Sequence, residues 1–116
     1  MSFEEQILQA ITSVMPENAK IRLVPGIGSL NVGVSWKLND DPERPNKMSK
    51  TIAICVTDEA AQDIADASAA QQAEASQRVS AFLSQKLANF DPNHNTPKYE
   101  APPIEQWLIG NAVLVG

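Results

Sequence analysis

From Asp58 to Asp91 the chain contains neither glycine nor proline, and Ala and Gln are its commonest residues. These are good helix formers, so the spacing predicts helix from Asp58 to about Phe90. Thr57 stands where an N-cap belongs, and Asp58 and Glu59 follow in the first turn, where the helix dipole favours negative charge. Pro92 ends the run. Ile64, Ala75, Val79, Phe82, Leu83, Leu87 and Phe90 recur at intervals of three and four and define one buried stripe. The stripe is uneven. Its second half is large and apolar, whereas 60–75 offers small residues with Ile64 as the only large anchor.

Length is what constrains the fold. At about 1.5 Å per residue an unbroken helix over 58–90 would span roughly 48 Å. A compact chain of this size has a diameter of roughly 35 Å. Either the helix breaks near Ser68 to Gln72, or its Ala-rich half projects and packs on another chain. Small side chains let a second helix approach closely, which makes Ile64, Ala67, Ala70 and Ala75 candidate interface residues.

The rest of the chain reads as one helix and several strands. Ser2 with Glu5 three positions later is a capping-box pattern. Phe3, Ile7, Leu8, Ile11, Val14 and Met15 then supply one apolar helix face, ended by Pro16. Lys20 to Val24 alternates, and Pro25-Gly26 suits the centre of a type II turn. Leu30, Val32, Val34, Trp36 and Leu38 alternate strictly with polar or small residues, the clearest strand in the sequence. After a polar loop, Lys50 to Thr57 returns as a strand with Ile52, Ile54 and Val56 on one side. The opposite sheet face then carries Asn31, Gly33, Ser35, Ala53 and Cys55, small enough for a backbone or helix to approach. Gly33 and Ala53 are therefore candidate interface positions. Trp107 to Val115 reads as a final strand apolar on both sides, unless Gly110-Asn111 splits it as a hairpin turn. Such a strand must be central or sealed by a second subunit, which adds Leu108 and Leu114 to the candidate interface.

These elements predict a single α+β domain over residues 1–116, in the order α-β-β-β-α-β. About four antiparallel strands carry two helices on one face.

Composition excludes several functions. The net charge of −5 argues against nonspecific binding to nucleic acid or to an anionic membrane, both of which need a basic surface. Glu4 and Glu5 stand where a secretory signal would be basic, and no long apolar run follows, so neither a signal nor a membrane span is expected. The single cysteine, Cys55, cannot form an internal disulfide, and a cytoplasmic location is expected.

No motif carries catalysis, a cofactor or a metal. Gly26-Ile27-Gly28 lacks the third glycine and the following helix of a dinucleotide fingerprint, and reads as a turn. Asp91, Asn93 and Asn95 alternate like the first ligands of a calcium loop, but Thr96 and Pro102 replace its glycine and its glutamate. Cys55 and His94 would form a nucleophilic pair only if adjacent in space. Mid-strand Cys55 reads as a packing residue and His94 as a loop residue. Asp58, Glu59, Asp63, Asp66 and Glu74 read as a solvated helix face. A small ligand or substrate would have to use a cleft at the loop 91–103, with Asp91, His94, Tyr99 and Trp107 as candidate residues.

Two resemblances bear on function. The element order is similar to that of double-stranded-RNA-binding domains, but Asp58, Glu59 and Asp63 occupy positions where that family uses lysines, which excludes it. Order, size and acidity also resemble the homodimeric chaperones of type III secretion. That implies binding of an extended partner polypeptide, although a strand replaces their closing helix. The tail Phe90–Trp107, Phe-Asp-Pro-Asn-His-Asn-Thr-Pro and then Pro-Pro-Ile-Glu-Gln-Trp, resembles the closing segment of a family of small uncharacterised bacterial proteins, a domain of unknown function that implies no activity. The expectation is a non-enzymatic bacterial protein–protein interaction module acting as a homodimer without a cofactor. The alternatives are a secretion-chaperone-like or inhibitor protein, and a ligand binder or enzyme.

Overall fold

Ser2 Oγ accepts the Glu5 N–H at 3.2 Å and so starts helix α1 (Phe3–Val14), which buries Ile7, Ala10 and Ile11. Met15 is extended, as the residue before a proline must be. The structure, a computed structural model, describes all residues except Met1, Pro25, Ile27, Ser29, Asp40, Asp41, Lys98, Val115 and Gly116.

Strands β1 (Lys20–Leu23), β2 (Leu30–Ser35) and β3 (Thr51–Val56) form the predicted antiparallel meander. Val32, Val34, Ile52, Ile54 and Val56 share one face and are all buried, as the period of two requires. The strands are shorter than the alternation suggested. Past Ser35 the Trp36 N–H bonds to the side chain of Ser49, at 3.0 Å, while the Ser49 N–H returns to Trp36 C=O at 2.7 Å. Among the described residues only an isolated Lys37–Met48 bridge lies beyond. Pro25, and with it the expected Pro25-Gly26 turn, lies outside the described residues.

The long helix is two helices, α2 (Asp58–Ala65) and α3 (Ala69–Ala88). Ser68 restarts the helix with a reciprocal cap. Its Oγ accepts the Gln71 N–H at 3.2 Å, and Gln71 Oε1 accepts the Ser68 N–H at 3.0 Å. Gln72 Nε2 donates to Ile64 C=O at 3.1 Å, satisfying a carbonyl at the end of α2. Ile64 and Ala75 thereby turn into the chain's own core, at 6% and 0% exposure. No helix half projects.

The sheet is mixed, not purely antiparallel. Strand β4 (Ile104–Ile109) pairs parallel to β3, and the strand order is β1-β2-β3-β4. The crossover through α2 and α3 carries the chain back to the end at which β3 began, the connection parallel neighbours need. The final strand therefore starts earlier than Trp107, and it ends at Ile109. Gly110 C=O accepts the N–H groups of Val113 and Leu114, and a short helix α4 (Asn111–Leu114) takes the place of both the predicted strand end and the hairpin. Val115 is outside the described residues. Asn111 Nδ2 donates to Asp63 Oδ2 at 2.7 Å and ties α4 to α2. Arg78 donates to Leu114 C=O at 3.1 Å and ties it to α3.

The four helices of the described residues, rather than the expected two, all bury side chains in one core against one face of the sheet. At the end of α3, Phe90 lies edge-on between Trp36 and Trp107, with ring centroids 5.8 and 5.7 Å away, an arrangement aromatic rings favour.

Candidate functional site

The other face of the sheet has no helix on it among the described residues. Strand register places Lys20 and Arg22, then Asn31, Gly33 and Ser35, then Thr51, Ala53 and Cys55, and last Ile104, Gln106 and Leu108 across it. Ile104 is 70% exposed and Leu108 54%. Among the described strand residues no carboxylate stands on this face.

The two edges of the sheet are defended differently. Strand β1 is four residues long and presents Lys20 and Arg22, the short, charged kind of edge that discourages further pairing. Strand β4 is six residues long, with no proline or basic residue. Its one charge, Glu105, accepts the Trp107 indole N–H at 2.7 Å. Backbone directions on β4 follow from two hydrogen bonds. Thr51 N–H donates to Pro103 C=O at 2.9 Å, and Thr57 N–H to Ile109 C=O at 3.1 Å. Odd-numbered residues therefore point their peptide groups at β3. The alternation leaves the N–H and C=O of Ile104, Gln106 and Leu108 directed at the free side. The same three residues put their side chains on the uncovered face. β4 is thus an open template for one more strand.

The candidate interface residues divide. Leu108 and Ala53 lie on the face without helices, whereas Gly33 on the same face is buried, with Arg22 and Val24 packed over it. Ile64, Ala75 and Leu114 are buried in the single chain, and Ala67 packs against the same core. Ala70 is exposed on α3, away from that face. Ile104 went unnoticed in the sequence because it follows Pro102-Pro103 and reads as loop.

The candidate ligand residues do not assemble. His94 Nδ1 accepts the Thr96 N–H at 3.3 Å, so Nε2 carries the proton and donates to Met48 C=O at 2.8 Å. Both ring nitrogens thus serve the backbone. Asp91 Oδ1 accepts the Asn93 N–H at 3.0 Å, closing a local turn. Trp107 is in the core, and Tyr99 is 87% exposed. The segment 91–97 is a brace, not a cleft. Lys47 Nζ donates to Asn93 Oδ1 at 2.8 Å, Arg44 to Thr96 C=O at 3.0 Å, and Lys50 N–H to Pro92 C=O at 2.9 Å. Cys55 is buried beside Gly28, where a Cβ would collide with its Sγ and with Val56 C=O, and the hydrogen-bond partners of the His94 ring are Met48 and Thr96. The carboxylates Asp63, Asp66 and Glu74 line a recess of about 430 Å³ between α2, α3 and α4, each exposed to solvent.

Among the described residues no group of three or more His, Cys, Asp or Glu is placed to hold a metal ion. No helix among them is long and apolar enough to cross a membrane. No protein-family model, curated protein or solved structure matches the chain.

Proposed function

We propose that this chain is a non-enzymatic protein–protein interaction module of the cytoplasm, which accepts an extended polypeptide segment onto the free edge of β4. The observation that carries the reading is the coincidence on one edge of three peptide groups that point away from β3, without a partner among the described residues, and two exposed apolar side chains, Ile104 and Leu108. Strand addition works through such edges. Main-chain hydrogen bonds supply affinity, and alternate side chains supply selectivity. Beside the edge on the same face stands half-buried Ala53, whose small side chain leaves room for a partner's side chains. The lone thiol, Cys55, is buried and suits a reducing compartment.

Gln106→Pro tests this. The Gln106 N–H points away from β3, so proline removes a donor from the free edge without removing a rung of the sheet. Polypeptides retained by the immobilised wild-type chain should be lost on the Gln106→Pro chain, with both showing the same circular dichroism. Equal retention by the two would remove the edge from the reading.

A further inference from the structure

Resting on the reading of β4 as a strand-accepting edge, we infer that the segment it accepts is β4 of a second copy of this chain. The two strands run antiparallel, with the Gln106 residues facing each other across a two-fold axis. The sequence Ile-Glu-Gln-Trp-Leu-Ile is complementary to its own reverse in this register. Ile104 of one copy lies opposite Leu108 of the other, and Leu108 opposite Ile104, so all four exposed apolar side chains meet as two pairs on the uncovered face. Ile104, Gln106 and Leu108 are also the residues whose peptide groups face outward. Each opposed pair is therefore of the hydrogen-bonded type, and the three pairs make six bonds.

Charge selects the same register. Centred on Gln106, it sets each Glu105 opposite Trp107 of the other copy. A shift that centred the axis on Glu105 would place two carboxylates face to face, which opposed strands disfavour. A shift to Trp107 would set Leu108 against Gln106 and separate the apolar pairs. The two uncovered faces continue into one another across the joint, giving an eight-stranded sheet with both helical layers on the same side.

At one hydrogen bond per 100–200 Å², six bonds correspond to roughly 600–1,200 Å² buried in total, at the small end of specific interfaces. An interface of that size makes a weak, reversible dimer. Each copy carries a net charge of −5, so association strengthens as salt screens the repulsion, the reverse of a charge-driven complex.

Sedimentation equilibrium from about 10 µM to about 1 mM covers concentrations at which a weak dimer forms. The wild-type chain should pass from monomer to dimer, while Gln106→Pro and, independently, Leu108→Lys should raise the dissociation constant at least about tenfold. Under mild oxidation Gln106→Cys should give a cross-linked dimer, because opposed Cα atoms about 5.5 Å apart suit a disulfide. Ile104→Cys or Leu108→Cys alone should not, whereas the two together in one chain should. The wild-type chain, whose only thiol is buried, is the uncross-linked control. A wild-type monomer throughout the range overturns the inference but leaves strand addition by another polypeptide to the retention comparison, which needs no self-association. A dimer indifferent to both Gln106→Pro and Leu108→Lys, or Ile104→Cys cross-linking as readily as Gln106→Cys, overturns it as well.

Discussion

On β3, Ile52, Ile54 and Val56 are almost wholly buried, while on the other face Thr51 and Ala53 are half-buried and Cys55 is buried beside Gly28. On β4 the contrast is sharper, with Trp107 and Ile109 at 1% and 0% exposure and Ile104 and Leu108 at 70% and 54%. The same backbone builds both faces, and only the alternation of side chains separates them. On β4 the helical layer therefore holds the inner face to the fold, whereas Ile104 and Leu108 contribute little to folding and are free to serve association. Substitutions on the two faces should separate stability from self-association.

The largest effect belongs to the inner face. Trp107→Ala should cost about 3–5 kcal/mol, read from urea unfolding at low protein concentration. A loss below about 1 kcal/mol would mean that β4 is not held by its inner side chains. Next is the seam where β2 ends. Ser49 is 0% exposed and its Oγ accepts the Trp36 N–H. Ser49→Ala strands that donor and should cost about 1–3 kcal/mol. No measurable change would show that the N–H finds another acceptor. In the helical layer, Ser68→Ala removes the cap of α3 and should cost about 1 kcal/mol, visible as a lower urea midpoint with an unchanged slope. Smallest is Leu108→Ala on the outer face, within about 0.5 kcal/mol of wild type for the monomer, although it weakens dimerisation in sedimentation. A large loss of monomer stability there would erase the distinction between the faces.

What the sequence made legible depended on period. Leu30 to Trp36 and Ile52 to Val56 alternate cleanly, and their inward residues are those the structure buries. Helix α1 was likewise announced by its cap and stripe. The break between α2 and α3 was harder to locate, because Ser68 and Gln71 form their capping box inside a run in which every residue tolerates helix. The parallel placement of β4 followed from chain length rather than residue type, since a strand reached through two helices returns from the far end. Helix α4 is four residues long, too short to display any period. Within the candidate site, the facing of Leu108 and Ala53 was legible from alternation alone, whereas Gly33 has the same facing but is covered by Arg22 and Val24. Ile64, Ala75 and Leu114 misled because apolar side chains at regular spacing look alike whether their cover is the same chain or another. The loop residues Asp91 and His94 carried chemical groups suited to a site, but the backbone of the 44–50 and 91–97 segments uses them.

The ladder of Trp36, Phe90 and Trp107 places both of the chain's tryptophans around a single phenylalanine, one from the early meander and one from the last strand to join. Ultraviolet emission from this molecule is therefore a local gauge, reporting the moment at which the C-terminal segment seats beside the rest. Far-ultraviolet dichroism, dominated by α1 and α3, follows a different part of the molecule, and any delay between the two signals on refolding would time the arrival of β4.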